Sequence, residues 1–413
     1  MTPAADAARL TRELDTLAAI SDEAPAVTRV VFTGADLRAR AYLKSLCADA
    51  GLVVREDAVG NTFARWVGDR PDLAPIGTGS HIDAIPNAGR YDGTVGVLGG
   101  LEAIRALAGA GFRPGRSIEL IVFTSEEPTR FGIGCLGSRL LAGTLDESAG
   151  TRLKDGDGVT LDEARLAAGF PGSLASVKLP HGAYAAFVEL HIEQGPLLEQ
   201  HGIDLGIVTA IAAPAGLKIS IEGEGGHAGA MLMPDRHDAF LAGAEIALAV
   251  EAAAKSTGAV DTVGTVGVCR VFPGAVNSVP SRTALEVDVR DIDGARRDRV
   301  LAAIESACDE VARRRGVRIE RTVVNADPPA TCAPEIVDTL THSCELRGWP
   351  SERMISRAYH DSLFMSRVAP TAMLFIPCRG GVSHRPDEYA SPEAIAKGAT
   401  ILADTLAQLS RRV

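Results

Sequence analysis

The sequence predicts an α/β fold: a mostly parallel, twisted sheet covered by helices, with a smaller α+β domain inserted into it. Three observations carry this prediction. Continuous apolar runs (IELIVFTS at 118–125, AAFVELHIE at 185–193, AMLFIPC at 372–378) have the character of strands buried on both faces. Helical patterns alternate with such runs, as they do where a crossover helix joins parallel strands. Between about 212 and 328 the pattern changes to half-buried strands around two helices, and the first pattern then returns.

Taken in order, DLRARAYLKSLCADA at about 36–50 is an amphipathic helix closed by Gly51, which can take the left-handed conformation of a helix end. Gly93 to Leu107 is a helix reached through a glycine-rich turn, and the strand 118–125 follows. The polar stretch 140–183, with KDGDGVTLDEARLAAG, is an excursion from the sheet, and the strand 185–193 resumes it. In the changed region LKISIEGEGG, TVGTVGVCRV, ALEVDVRDID and VRIERTVVNA are strands. The helices Asp238–Ser256 and Ala295–Arg315 lie between them, which makes two helices on one face of a four-stranded sheet. Pro214 and Pro328-Pro329 stand near the ends, where linkers commonly fall. The expected division is a catalytic domain from 1–211 and 329–413, with 212–328 inserted. Pro392 to Leu409 is a closing helix.

Composition narrows the function. The 413 residues are 46% hydrophobic and 23% charged, which excludes a disordered or collagen-like chain. A net charge of −11 excludes nucleic acid or an anionic membrane as the main partner. No run approaches the roughly 18 apolar residues of a membrane span. The charged beginning, MTPAADAARLTRELD, has no apolar signal region. The seven cysteines are scattered and form no CxxC pair, so the expected compartment is the reducing cytoplasm.

Four constellations follow apolar runs. The first is Gly79-Ser80-His81-Ile82-Asp83 with Asp92, where Asp83 could orient the ring of His81. The second is Glu126-Glu127 after the strand 118–125, where open α/β sheets place their ligands. Adjacent carboxylates repel, and a cation relieves this if one binds it while the other stays free as a general base. The third is His191-Ile192-Glu193-Gln194, and the fourth Gly380-Gly381-Val382-Ser383-His384. A solvated turn or an acidic helix cap explains any one of these. Five imidazole and carboxylate groups in equivalent places point instead to a pair of divalent ions sharing a carboxylate. Three further residues lie in the inserted region. His227 in a glycine turn is suited to an oxyanion, Arg290 to a carboxylate, and Asn277 reads as a turn residue.

Together GSHID…DG, SEEP, HIEQGP, GGHAGA, PGAVNSVP and GGVSH resemble the metal-dependent amidohydrolases of the M20 peptidase group, from about residue 30 onward. The resemblance implies that His81, Asp92, Glu127, His191 and His384 hold two metal ions, with Asp92 bridging. It makes Glu126 the general base and Asp83 the residue that orients His81. Gln194, His227, Asn277 and Arg290 become substrate contacts, and the inserted domain a homodimer interface. TAIAAPAGLK, DTVGTVG and MISRAYHDSLFMSR resemble the ureidoglycolate amidohydrolase branch, with Tyr359 and His360 near the substrate hydroxyl. The carbamoylase and allantoate branches instead carry a Gln-Arg pair where this chain has Pro214, Ala215 and Gly216. The implied partner is a small ureido acid and the implied metal manganese, with zinc the alternative. An N-carbamoyl-L-amino acid or allantoate substrate, a zinc dipeptidase and a non-enzymatic metal-dependent binder are the competing expectations.

Overall fold

A computed structural model describes residues 4–412. The chain forms two compact units. One runs up to Thr209 and takes up Cys332–Ser356 and everything from His360 onward; the other is Ala210–Thr331 with Arg357–Tyr359.

The first unit is built on a twisted sheet whose strands lie in the order Gly206–Ile211, Thr371–Ile376, Ala186–Ile192, Ile76–His81, Ile118–Phe123, Thr62–Trp66, Val53–Glu56. Its four central strands run parallel, and the flanking ones are antiparallel. Sequence and burial agree here. All four central strands are buried at every position, whereas the marginal Val53–Glu56 is mostly exposed. The helices Thr94–Gly109 and Pro392–Arg411 pack on this sheet and on each other. The second of these starts at Ser391, whose Oγ accepts the Ala394 amide at 3.1 Å, with Pro392 in the first turn. The polar stretch 140–183 carries its own anchors. Leu161, Phe170, Leu174 and Val177 close a hydrophobic cluster with Phe63, Phe123 and Phe187.

The second unit is a four-stranded antiparallel sheet in the order Val263–Phe272, Arg282–Asp291, Ala213–Glu222, Arg318–Ala326. Leu217, Ile219 and Ile221 alternate along one strand and Leu285, Val287 and Val289 along its neighbour. This period of two turns them to one face, where Ile246 and Val250 of the helix Ala239–Ser256 and Val300, Ile304 and Cys308 of the helix Gly294–Arg315 cover them. The unit is wider than 212–328 and includes a segment that sequence reading left in the catalytic part. Arg357 pairs with Asp261 at 2.9 Å, and the Tyr359 ring lies 5.9 Å from the Arg290 guanidinium. Such distant contacts leave no mark on a division drawn at prolines. Among the described residues no helix is long and apolar enough to cross a membrane.

Candidate metal centre

The parallel strands bring their carboxyl ends to one edge of the sheet, the place where open α/β sheets bind ligands. His81 ends one central strand, His191 is the last but one residue of another, and Glu126 and Glu127 follow Phe123. His384 stands on the loop after Ile376, and Asp92 precedes the helix that starts at Thr94.

Five of the sequence-predicted residues meet. Asp92 Oδ1 lies 3.5 Å from His81 Nε2 and 3.2 Å from His191 Nε2, while its Oδ2 lies 3.3 Å from His384 Nε2. Glu127 Oε1 is 3.1 Å from the same His384 nitrogen. The donors fall into two groups, His81–Asp92–His191 and Asp92–Glu127–His384, each with its ligand atoms within 4.8 Å of one another. Asp92 belongs to both, one oxygen to each.

The local backbone serves this convergence. His81 Nδ1 donates to the Asp83 carbonyl at 3.0 Å and His191 Nδ1 to the Ile192 carbonyl at 2.9 Å, so both rings point Nε2 inward. Asp83 therefore acts with a different atom from the one expected. Its carboxylate stands 3.7 Å from the His81 ring and instead accepts the amides of Glu126 and Glu127 at 3.1 and 3.0 Å. Four non-glycine residues around the centre have left-handed backbones: Ser125 (φ 55), Cys135 (φ 54), Gln194 (φ 56) and His384 (φ 59). That conformation is costly for residues with a Cβ and persists where surrounding structure imposes it. Gly93, at φ 65, is needed for space as well, because a Cβ there would fall 2.5 Å from His81 Nε2.

Electrostatics favour a cation. Burial alone would lower the proton affinity of His81 and His191, yet Glu126 and Asp92 beside the first and Asp92 beside the second raise both. Hydrogen bonds that its ring donates to Asp92 and Glu127 hold His384 up at about 11. Burial opposes ionisation of Asp92, but the three imidazoles outweigh it and keep its carboxyl well below the usual range. Three imidazole nitrogens and two carboxylates around a shared oxygen pair suit borderline divalent ions such as Zn²⁺ or Mn²⁺. The donor set fits a two-ion centre. Glu126 belongs to neither group. Its Oε2 is 3.8 Å from His81 Nε2, its Oε1 accepts from the Cys135 thiol at 3.3 Å, and burial raises its proton affinity well above that of an ordinary carboxylate. A third cluster, Glu189–His191–His360, is already satisfied, since Glu189 accepts Ser80 Oγ at 2.7 Å and Ser362 Oγ at 2.6 Å.

The remaining sequence-predicted residues are placed less simply. Gln194 donates its amide to Asp92 Oδ2 at 2.7 Å and so braces a ligand, while its Oε1 is buried without a partner. His360 is buried, with Nε2 3.0 Å from Ser356 Oγ and its ring edge-on to His191 at 4.5 Å. His227, Asn277, Arg290 and Tyr359 all belong to the second unit. The Ala228 amide donates to the Asn277 carbonyl at 2.8 Å, beside a short ladder that pairs His227 with Ser278, and both His227 and Asn277 are exposed. The fork of Arg290, expected to be open for a substrate, holds Asp288 at 2.8 and 3.2 Å. Ser383, Glu388, Glu189 and Asp361 also build the centre and were not singled out from sequence. Ser383 lies in GGVSH, Asp361 in MISRAYHDSLFMSR and Glu189 in the run AAFVELHIE, whereas Glu388 lies in none of these.

Residues 77–408 match peptidase family M20/M25/M40. The chain is 54% identical over 413 residues to a ureidoglycolate hydrolase of Arabidopsis thaliana, covering 98% of this chain and 87% of the relative. It is 38% identical over 386 residues to an N-carbamoyl-L-amino acid amidohydrolase of Geobacillus stearothermophilus, covering 93% and 94%. The crystal structure of AtUAH in complex with glyoxylate superposes with a TM-score of 0.91 at 53% identity, covering 100% of this chain and 99% of that one.

Proposed function

We propose a reaction from the premise that the chain belongs to peptidase family M20/M25/M40: hydrolysis of the ureido group of (S)-ureidoglycolate, which begins at a ureido C–N bond, takes up water and ends in glyoxylate, both nitrogens as ammonia, and carbon dioxide. The observation that carries it is the pair of ligand groups sharing Asp92, with Glu126 beside them and bound to neither. Two divalent ions held there would supply Lewis acidity toward the ureido carbonyl and acidify a water molecule. Glu126, a largely buried carboxylate bound to neither group, takes the water's proton and returns one to the departing nitrogen. We assign manganese to the centre, with zinc the alternative. In the same reading His227 stabilises the oxyanion, Arg290 and Asn277 hold the carboxylate end, and Tyr359 meets the hydroxyl. The second unit pairs two chains into a homodimer. The compartment is the cytoplasm, which suits seven cysteines that are all free.

The choice of substrate rests on Pro214, Ala215 and Gly216. In the sheet they lie opposite Arg290, Val289 and Asp288, so the segment next to Arg290 offers no polar side chain. Allantoate carries a second ureido arm that would go unmatched there, at about 1–3 kcal/mol per buried polar group. With two such groups, kcat/KM for ureidoglycolate should exceed that for allantoate by about a hundredfold or more. The test is ammonia release from ureidoglycolate, allantoate, N-carbamoyl-L-alanine and Gly-Gly, each with Mn²⁺ or Zn²⁺. Comparable efficiencies on the first two would refute the substrate choice, and activity on Gly-Gly alone would make the protein a dipeptidase.

A further inference from the structure

We infer that Glu388, with Ser383, is a positioning residue that sets the shared ligand Asp92 against the loop carrying His384. The inference rests on the two-ion reading above and goes beyond its ligand set. Glu388 is 4% exposed, and both of its carboxylate oxygens are engaged. Oε1 accepts the amide of Tyr91 at 2.7 Å and that of Asp92 at 3.1 Å. Ser383 Oγ donates to Asp92 Oδ2 at 2.7 Å, and Glu388 Oε2 lies 3.1 Å from the same hydroxyl and shares its single proton. One buried carboxylate therefore fixes the backbone of Asp92 with one oxygen and, with the other, lies against the Ser383 hydroxyl that contacts the Asp92 side chain.

The brace links segments about 300 residues apart in sequence, as the separation of 297 between Tyr91 and Glu388 shows. One supplies Asp92; the other supplies His384, four residues before Glu388. Neither segment at this point is a regular strand or helix, so no ladder of backbone bonds holds them. The chain also fits closely around the carboxylate, since a Cβ on Gly89 would fall 2.4 Å from it. The rings of Tyr91 and Tyr389 meet edge-to-face at 6.1 Å and close the same contact from outside. A metal site tolerates ligand displacements of only about 0.2 Å, so two ligands on irregular loops need such a tie.

The test is calorimetric titration of Mn²⁺ into the metal-free full chain and its variants. Glu388→Ala should weaken Mn²⁺ binding about 10–100-fold, the usual effect of removing a group that orients a ligand. Glu388→Gln should restore most of it, because the amide oxygen still accepts both backbone N–H groups. Ser383→Ala keeps those two bonds and loses the hydroxyl that lies between Asp92 and Glu388, so it should show a smaller but measurable loss. Wild-type Mn²⁺ affinity in Glu388→Ala, whatever its melting temperature, would overturn the proposal. If Glu388→Ala does not fold, wild-type affinity in Ser383→Ala overturns it instead. Asp92→Ala separates the two levels. Retention of both ions there refutes the shared-ligand reading itself, while their loss beside an unchanged Glu388→Ala refutes only the brace.

Discussion

Replacing Gly93 by alanine should cost the protein its metal before it costs the fold. Gly93 has φ 65 with ψ −45, outside the left-handed helical well, a conformation that costs a residue with a Cβ about 1–3 kcal/mol. Its new Cβ would stand 2.5 Å from His81 Nε2 and 2.6 Å from Cδ2 and Cε1, against an ordinary contact of 3.4–4 Å. The ring must then retreat by about 1 Å, several times the tolerance of about 0.2 Å within which a metal ligand still serves. The strand behind it is buried throughout, so the movement adds an overpacking cost of about 1–3 kcal/mol. The expected result is a variant destabilised by about 2–6 kcal/mol whose Mn²⁺ or Zn²⁺ affinity falls more than about a hundredfold, beyond what loss of an outer partner produces. Chelator competition measures the affinity, and thermal unfolding of the metal-free protein measures the stability. Gly109→Ala is the control. It ends the same helix with nothing within 4 Å of a new Cβ, so it should leave metal binding alone and stabilise by up to about 1 kcal/mol. A Gly93→Ala protein that binds metal as the wild type does would refute the reasoning, because His81 would then not be a ligand in this geometry.

Two other predictions concern the carboxylates. Glu126→Gln should keep the metal and lose about 10²–10⁴-fold in rate, whereas Glu127→Gln should lose metal; the reverse pattern in measured metal content would exchange their roles. Asp361 is buried, with one oxygen 2.5 Å from Ser138 Oγ and the other unpartnered; burial first, and then Glu189, push its carboxyl up to about 8. A folded-state value above the unfolded one contributes stability that is full in acid and lost as pH rises toward 8. Asp361→Asn should therefore gain on the metal-free wild type between pH 5.5 and 8.5, by at most a few kcal/mol at about 1.4 per pH unit. A stability difference that does not change with pH would refute it.

The parts legible in sequence are those written in contiguous residues. A strand buried on both faces must be apolar throughout, so Ile118–Phe123, Ala186–Ile192 and Thr371–Ile376 stand out, and the polar residues after them mark the edge where ligands collect. The alternation in Leu217, Ile219, Ile221 and in Leu285, Val287, Val289 is equally local, and it separates the second sheet from the first. The marginal strand Val53–Glu56 was missed because it is four residues long and mostly exposed, so no periodicity had room to develop.

What sequence could not supply is the pairing of distant polar groups. Glu388 is one acidic residue in RPDEY, and nothing near it announces two amides waiting at Tyr91 and Asp92. Arg290 shows the opposite failure. Its type and its strand position suggested an open fork, but Asp288, two residues along the same strand and so on the same face, was always within reach of it. Period two alone gives that neighbour. Asp288 takes Nε and one Nη2 donor, so a substrate carboxylate would have to use the remaining N–H groups of Arg290 or displace Asp288. Asp83 adds the finest grain. Its identity pointed to a carboxylate behind His81, yet the strand end turns its carbonyl to the ring and frees the carboxylate to hold Glu126 and Glu127 by their amides. The side chain thus aligns Glu126 and Glu127 together, a role that depends on a turn's direction rather than on residue type.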